Sequence, residues 1–422
     1  MKRTLVLFLS TLLVIVTAVN FSACTMRISA ENLMDGITAR SVFGMEADED
    51  FKMSQTELAL KLFKSAVADS EGECVLISPL SVQLALAMTA NGADGETKRE
   101  MEALLADGKS IEELNRYLYS YVSSLPESEK YKLKIANSIW FNSSEERISV
   151  NKNFLQTNAN YYGASAYASD FDKRTVRDIN KWVNINTDGM IDEILKDIDS
   201  NAVMYLINAL AFDAEWHTVY EKTDVFDGKF TNSDGKTESV EMMRSGENRY
   251  IECSGAKGFF KDYKDRKYSF VALLPEEGVS LHEYIDTLTA EELFSAMQNT
   301  ESKAIVATMP KFSYEYAIKM NDCLKGLGIE AAFDVNSADF SGIGSSSDGN
   351  LYIGNVLHKT YISVDERGTR AAAVTKVELE CGSAGPIDDV VYINLDRPFV
   401  YMIVDNVTNL PLFIGTVTSV NG

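Results

Sequence analysis

The chain has 422 residues, a hydrophobic content of 45% and a formal net charge of −22 at pH 7. This length and apolar content are sufficient for a large buried core, and the 24% of charged residues do not indicate a disordered polypeptide. The acidity argues against nucleic acid as a partner, because phosphate binding requires basic patches. Three histidines and widely scattered cysteines show no metal-ligand spacing, and we expect neither a metal nor a cofactor.

The first 23 residues have the composition of a signal peptide and are excluded from the fold. Lys2 and Arg3 precede an apolar stretch at 5–19, which is too short and too often interrupted by Ser and Thr for a membrane span. The following Phe-Ser-Ala-Cys sequence, Phe21–Cys24, resembles a bacterial lipoprotein processing site with Cys24 as the lipidated first mature residue. Phe21 departs from the aliphatic residue usual there, so secretion with cleavage nearby is the alternative.

Residues 24–53 are interpreted as an acidic spacer, with Glu46, Asp48, Glu49 and Asp50 clustered at its end. Lipid on Cys24 would hold the protein at the outer face of the cell envelope, and the lipid would be its only contact with the membrane. Residues 54–422 are predicted to form one domain, because no repeat, low-complexity tract or Pro-rich linker interrupts the sequence from 55 to 420.

Apolar periodicity predicts that helices dominate the first half of this domain and strands the second. Helical spacing covers 55–67, 81–90, 151–162 and 176–186. Strand-like runs cover 132–141, 204–212, 269–274, 304–312, 351–364, 399–405 and 412–420. Since strands and helices do not alternate strictly, the pattern favours an α+β fold with antiparallel or mixed sheets over a doubly wound fold.

The most unusual run of the sequence spans 366–381. One alternate set of residues carries no charge and comprises Thr369, Ala371, Ala373, Thr375, Val377, Leu379 and Cys381. The other set holds every charge after Gly368. This period of two is typical of a strand with one buried and one wet face. The run leads directly into a turn-rich stretch at 382–389, which predicts an exposed loop. Together they suggest a strand that enters a sheet only under some conditions.

Sequence motifs of known catalytic chemistry are missing. Residues 382–385 lack the spacing of G-x-S-x-G, and His282 is not followed by a second histidine four residues later. A Ser/His hydrolase would need His358 to pair with Ser78 or Ser81. A histidine within a strand is more often structural, which disfavours the hydrolase.

Short motifs in a fixed order extend from about Gln55 to Val417. They include Ser78-Pro79-Leu80-Ser81-Val82, Asn91-Gly92-Ala93, Ala136-Asn137-Ser138-Ile139-Trp140-Phe141, Leu206-Ile207-Asn208-Ala209, Met309-Pro310-Lys311-Phe312, His358-Lys359-Thr360, Asp365-Glu366 with Gly368-Thr369, and Pro411-Leu412-Phe413-Ile414-Gly415. Each motif is weak by itself. The ordered set is very specific, and it resembles the serpin family.

The resemblance implies a serpin fold of three β-sheets and eight or nine helices, with an exposed reactive-centre loop after Glu366. A typical inhibitory serpin is a suicide substrate: its loop is cleaved by the target protease as far as the acyl-enzyme and then enters the central sheet as a new strand. The protease is dragged along and its catalytic geometry is distorted, so that deacylation stalls. The serpin itself is consumed, so the resemblance implies that the chain is not an enzyme.

Matching to the family assigns a hinge comprising Glu366, Gly368, Thr369, Ala371, Ala372, Ala373 and Thr375. Its small, uncharged inward residues favour the inhibitory form, because a charge buried during insertion would cost several kcal/mol. The residues from Thr369 to Gly382 span about 46 Å when extended. The domain has a radius of gyration of roughly 21 Å, so a fully inserted loop would cross most of the molecule. A non-inhibitory serpin that binds or scaffolds, and is merely cut as a substrate, is the alternative; such members commonly carry bulky or charged hinge residues.

Two more clusters are implied by the same matching. The shutter, a polar cluster beneath the central sheet where strands part, would comprise Ser78, Ser81, Asn208 and His358. The breach, where the loop first enters the sheet, would comprise Trp216, Lys311 and Glu366. An ion pair between Lys311 and Glu366 would hold the breach shut.

Family spacing selects Gly382–Ser383 as the scissile bond. The stretch to Pro398 is a few residues longer than in many members, so that the recognised side chain could also be one of Leu379, Cys381, Ser383 and Ala384. No Lys or Arg lies between Lys376 and Arg397, which disfavours trypsin-like targets. Small residues suit an extracellular elastase- or subtilisin-like serine protease, with a cysteine protease as a further option. We expect the protein to be a monomer.

Overall fold

A computed structural model of the chain describes residues 28–143, 148–347, 349–369 and 390–420. Several predicted features lie outside these described residues. They are the signal peptide at 1–23, the lipidation site Cys24, the hinge residues Ala371, Ala372, Ala373 and Thr375, and the scissile bond Gly382–Ser383.

Most helices begin at a polar residue whose side chain accepts a hydrogen bond from a backbone N–H group of the first turn. Asp172 illustrates this, because its carboxylate accepts from Arg174 and Thr175 while the Thr175 hydroxyl accepts from the Asp172 amide. The helices of the described part are α1 Glu49–Ala68, α2 Pro79–Ala90, α3 Gly95–Ala106, α4 Ile111–Ser124, α5 Lys152–Tyr162, α6 Lys173–Asn186, α7 Leu281–Thr287, α8 Ala290–Gln298 and α9 Asn321–Gly326.

The strands form three sheets. In chain order they are β1 Glu31–Asn32, β2 Leu76–Ile77, β3 Tyr131–Asn142, β4 Ile148–Val150, β5 Ser165–Ser169, β6 Met204–Glu215, β7 Val225–Thr231, β8 Thr237–Cys253, β9 Ala256–Asp262, β10 Tyr268–Pro275, β11 Glu301–Pro310, β12 Phe312–Lys319, β13 Gly344–Ser346, β14 Asn355–Val364, β15 Gly368–Thr369, β16 Val390–Asn394, β17 Phe399–Asp405 and β18 Pro411–Val417.

The central sheet has seven strands in the order β1-β5-β3-β6-β15-β14-β12. A second, nine-stranded sheet follows the path β16-β11-β8-β9-β10-β17-β18-β2, with β7 paired to β8, and β4 pairs with β13 in a small third sheet. Every residue of β10, β17 and β18 is buried, as is every residue of α2. The core therefore lies where the second sheet and α2 pack beneath the central sheet.

The α+β fold with three sheets is confirmed. The predicted helices at 55–67, 81–90 and 176–186 fall within α1, α2 and α6, and the predicted helix at 151–162 matches α5 apart from the N-cap residue Asn151. The apolar periodicity of the sequence did not identify α3, α4 or the long strand β8. In β8, buried and exposed residues alternate only in part. None of the helices in the described part of the chain is both long and apolar enough to cross a membrane.

Residues 28–53, interpreted from the sequence as part of an acidic spacer, contact the folded domain. Glu31–Asn32 forms β1 at the edge of the central sheet, paired with β5. The backbone amides of Ser29 and Ala30 donate to Asp178 Oδ2 at 3.0 and 2.9 Å. Helix α1 begins at Glu49 rather than near Gln55, because Asp48 accepts a hydrogen bond from the Phe51 amide and caps it. This segment is thus attached to the body of the domain.

Candidate functional site

The two middle strands of the central sheet are paired only along part of their length. Residues 205–210 of β6 pair in parallel with residues 355–360 of β14. At the carboxyl ends of these two strands the short strand β15 lies between them and is antiparallel to both. Within the described residues, 211–213 of β6 and 361–363 of β14 are not paired with each other. The sheet therefore has a partly opened seam with the beginning of a further strand already in it.

Gly368 allows β15 to approach β6 this closely. A Cβ atom added at Gly368 would lie 2.0 Å from the carbonyl oxygen of Ala214 and 2.9 Å from Cα of Glu215. Both of these are backbone atoms, which cannot rotate out of the way. A side chain at this position would displace β15 from the seam.

Thr369 is the last described residue before the loop, and its side chain points into the protein. It is 1% exposed, and its hydroxyl shares a hydrogen bond with the hydroxyl of Tyr263. The ring of Tyr263 in turn stacks on Trp216, with ring centroids 4.5 Å apart. Burial raises the pKa of Tyr263 above its usual value, so this phenol stays protonated and keeps its hydrogen bond.

The predicted breach residues lie together around the turn that precedes β15. Lys311 Nζ is 2.8 Å from a carboxylate oxygen of Glu366 and 3.3 Å from one of Glu241. Burial lowers the pKa of Lys311, but the two carboxylates outweigh burial and the net shift is upward. The hydrogen bond from Lys311 lowers the pKa of Glu366. Both groups are therefore charged at neutral pH, and Lys311 is shared between two acids.

Trp216 ties the end of β6 to the end of β14. It directly follows β6, and its indole Nε1 donates to the carbonyl of Asp365, the residue directly after β14, at 2.9 Å. Its backbone amide donates to the carbonyl of Arg367 at 2.8 Å, and the amide of Tyr220 donates to the carbonyl of Glu366 at 3.0 Å. We call these three hydrogen bonds the backbone clamp.

The four predicted shutter residues form one buried hydrogen-bonded cluster where β6 and β14 are directly paired. The Asn208 amide nitrogen donates to both the backbone carbonyl and the hydroxyl of Ser81, and also to Asn137. Ser78 caps α2, its hydroxyl accepting from the Ser81 amide at 3.3 Å. Each member is 1% exposed or less, so these polar groups depend on one another for hydrogen bonds.

The hydrogen bonds of His358 define its protonation state. The backbone N–H of Ser78 donates to Nε2 at 3.1 Å, which requires that Nε2 carries no proton. The opposite nitrogen, Nδ1, then carries the proton and donates to Asn208 Oδ1. Burial lowers the pKa of His358 to about 3, so the ring is neutral at physiological pH.

This arrangement does not suit a Ser/His hydrolase. Among the described residues, neither the Ser78 nor the Ser81 hydroxyl hydrogen-bonds to the His358 ring, and all three side chains are buried. A general base needs a pKa near the working pH, which burial denies to His358. The cluster is suited to holding two strands together.

Sequence reasoning missed three residues of the site: Asn137, Tyr220 and Tyr263. Asn137 lies within a motif that was used for the family resemblance, directly opposite Asn208 in the register of β3 and β6. That register could have identified it. Tyr220 and Tyr263 lie in irregular segments, and no local pattern brings them to the breach.

Comparison with known proteins identifies the family. Residues 53–420 match the family model described as serpin (serine protease inhibitor). The chain belongs to the serpin family. It is 30% identical to Serpin B10 of Sorex araneus over 394 residues, which covers 86% of this chain and 97% of that protein.

Solved structures of serpins show the same fold. The chain matches the crystal structure of a thermophilic serpin, tengpin, in the native state with a TM-score of 0.88 and 52% identity, over 92% of this chain and 99% of that one. The match to the latent state of tengpin has a TM-score of 0.78 and 48% identity, over 91% and 100% of the two chains. The described arrangement is thus more similar to the native state. Serpins are in general protease inhibitors rather than enzymes.

Proposed function

We propose that this serpin inhibits an extracellular serine endopeptidase as a suicide substrate: it is cleaved in its loop and then traps the acyl-enzyme by inserting the loop into the central sheet. The observation that carries the proposal is the seam between β6 and β14, in which β15 already lies. A strand that lengthens from Thr369 would be antiparallel to both neighbours. It would exchange one parallel pairing for two antiparallel ones, which are slightly more stable per residue.

The register of β15 gives the position of each residue in such a strand. Thr369 lies opposite Ala214 of β6 and Val364 of β14. If the same register continues for six residues, Thr375 is reached (369 + 6). The residues opposite it are then 208 (214 − 6) and 358 (364 − 6), which are Asn208 and His358.

This register supports a role for Thr375 in the inserted state. Insertion would separate Asn208 from His358, which are hydrogen-bonded to each other in the described state. The Thr375 hydroxyl, between them, would both donate and accept hydrogen bonds. The new strand would thereby satisfy two buried groups that its entry had separated, and opening the shutter would leave no unpaired polar atoms.

The side-chain pattern of the hinge is consistent with this orientation. Thr369 faces inward and is buried, and residues at even distances from it in a strand face the same side. Ala371, Ala373 and Thr375 would therefore face inward, and none of them carries a charge that would have to be desolvated. Arg370 and Lys376 would face outward.

We further propose that Gly382–Ser383 is the cleaved bond and that the target is elastase- or subtilisin-like. The small residues around this bond and the lack of Lys or Arg between Lys376 and Arg397 support that class. A cysteine protease with a similar preference is the second candidate.

We also propose that lipid on Cys24 anchors the protein outside the cytoplasm, on the basis of the sequence Phe21–Cys24. The test is membrane fractionation of cells that express the full chain. A Cys24→Ser variant is expected in the soluble fraction, with Cys74→Ser as the control that stays with the membrane. If the Cys24→Ser variant stays in the membrane fraction as well, the lipid anchor is wrong.

The inhibitory function is tested by incubation with a panel of elastase-, subtilisin-, trypsin- and papain-like proteases. An SDS-stable complex with an elastase- or subtilisin-like enzyme, and a released C-terminal peptide that begins at Ser383 by mass spectrometry, would support the proposal. If every protease cuts the loop and none is retained in a complex, the protein is a non-inhibitory serpin that acts by binding.

A further inference from the structure

Lys261 of β9 is a buried lysine next to the breach. Its side chain is 3% exposed, which is rare for lysine because an ammonium group loses its hydration on burial. The Nζ atom lies 3.0 Å from Glu247 Oε1, and the Glu247 side chain is itself 13% exposed. A buried ion pair of this kind contributes little net stability relative to apolar residues of the same size. Its presence therefore calls for another role.

The ammonium of Lys261 lies against two aromatic rings of the breach. It is 4.2 Å from the ring centroid of Tyr220 and 5.4 Å from that of Trp216, both within the range of cation–π attraction. The same cluster continues through Ser245, whose hydroxyl donates to Glu247 at 2.7 Å and lies 3.3 Å from the Tyr220 hydroxyl. One buried charge pair thus fixes the positions of both rings.

These two aromatic residues supply all three donors of the backbone clamp. Trp216 holds the carbonyls of Asp365 and Arg367, and Tyr220 holds that of Glu366. Trp216 follows β6 and Asp365 follows β14, so the clamp restrains the two strands that have to separate when a strand enters the seam. In the described part of the chain, the ion pair and ring contacts of Lys261 are with Glu247, Tyr220 and Trp216, so its effect on β14 and β15 passes through the two rings.

We propose that Lys261 and Glu247 are positioning residues that keep the backbone clamp closed and thereby slow the opening of the seam in the uncleaved protein. This inference rests on the proposed loop insertion. The side chains of this pair are buried or nearly so, whereas those of Lys311 and Glu366 are partly exposed. Loss of the Lys261 charge would leave the rings free to move and the clamp weaker, and the intact loop would enter the seam sooner.

The first measurement is hydrogen exchange of the Trp216 and Tyr220 backbone amides in the full-length protein without any protease. In Lys261→Met, both amides are expected to exchange about tenfold faster, as the loss of a desolvated cation–π contact implies. The Val271 amide, in the second sheet, reports on the global stability. Lys303→Met is the matched control, because Lys303 lies 3.9 Å from the Tyr250 ring and pairs with Glu301 but does not touch the breach.

The double variant Lys261→Met with Glu247→Gln separates positioning from stability. The single variant leaves Glu247 as an unpaired buried carboxylate, which lowers global stability and speeds the exchange of the Val271 amide. The double variant removes this carboxylate, so the exchange of Val271 should return to the wild-type rate while Trp216 and Tyr220 still exchange faster. If the double variant restores all three amides, or if Lys261→Met changes none or changes all three equally, the positioning role is wrong.

The second measurement follows the intact loop during incubation at raised temperature, as the fraction of molecules that a nonspecific protease still cuts between residues 370 and 389. Loop entry protects the segment, and we expect protection to develop several-fold faster in both Lys261 variants than in Lys303→Met. Equal rates would overturn the link between the clamp and the seam. If the wild-type protein traps no protease but the amides respond as expected, the proposed inhibitory function fails and the clamp assignment stands.

Discussion

His358 donates a hydrogen bond from Nδ1 to Asn208 Oδ1, and these two residues are directly opposite each other in the register of β14 and β6. The bond therefore crosses the seam at which a loop strand would have to enter. Because the acceptor at Nε2 is satisfied by the Ser78 amide, the neutral Nδ1–H form of His358 is the form that fits the cluster.

This geometry predicts that acid destabilises the native state between pH 7 and 5. The unfolded histidine has a pKa of about 6.5, whereas burial lowers that of native His358 to about 3. The unfolded state therefore binds more protons in this range. The contribution of His358 to stability is fully present above pH 6.5 and is lost as the pH falls toward 3. The free energy of unfolding in urea should fall with a slope approaching about 1.4 kcal/mol per pH unit. His358→Gln should flatten the slope and His282→Gln, at an exposed residue, should not; a His358→Gln slope equal to that of the wild type contradicts the account.

Gly368→Ala should displace β15 from the seam. The added methyl would lie 2.0 Å from the Ala214 carbonyl oxygen, and the strand has to move, which weakens the hydrogen bond between Thr369 and Tyr263. We expect a loss of about 1–3 kcal/mol in the free energy of unfolding, together with faster hydrogen exchange at Thr369. Gly246→Ala is the matched control, since a Cβ at Gly246 meets no atom within 4 Å. Equal stabilities of the two variants would show that β15 does not lie against β6.

Thr369→Arg should convert the inhibitor into a substrate. The Thr369 side chain is buried, and a guanidinium at this position would have to be desolvated before the loop could enter the sheet. The variant is expected to be cleaved without retention of the protease on denaturing gels. Thr369→Ser keeps the hydroxyl that meets Tyr263 and should retain the complex. SDS-stable complexes of Thr369→Arg in wild-type yield would show that insertion does not proceed through this position.

Glu366→Gln should have a small effect on global stability and a larger one on the lifetime of the native state. The Glu366 side chain is 37% exposed and Lys311 keeps its second partner, Glu241, so we expect a loss of about 0–1 kcal/mol in unfolding. If the ion pair holds the breach shut, the loop of Glu366→Gln should become protected from proteolysis sooner on incubation at raised temperature. Glu241→Gln, which leaves the bond to Glu366 intact, is the control. The same rate of protection in both variants would contradict a latch at Glu366.

The sequence was sufficient to predict the fold, because short motifs in a specific order identified the family, and the residues matched to the shutter and the breach lie together in the structure. It was not sufficient for Tyr220, Tyr263 and Lys261. Their positions around the breach depend on how β8 and β9 pair and on the chain path between strands, which local periodicity does not determine. The alternation of uncharged and charged residues after Gly368 did predict that Thr369 faces inward, and its side chain is buried.

The attachment of residues 28–53 to the domain was not predicted from the composition of this segment. Its acidic composition was interpreted as a spacer, and one of its carboxylates, Asp48, caps α1 and accepts a hydrogen bond from Tyr117 at 2.6 Å. Composition describes the average exposure of a segment. It does not identify the single edge strand or the single cap through which the segment is attached.

Entry of the loop between β6 and β14 can be measured by the thermal unfolding of the protein before and after a single cut in the loop. A cut frees the loop to complete the sheet, and we expect a higher unfolding temperature for the cleaved protein, with a much smaller rise in Thr369→Arg. An unfolding temperature that is unchanged or lower after cleavage of the wild-type protein would contradict insertion.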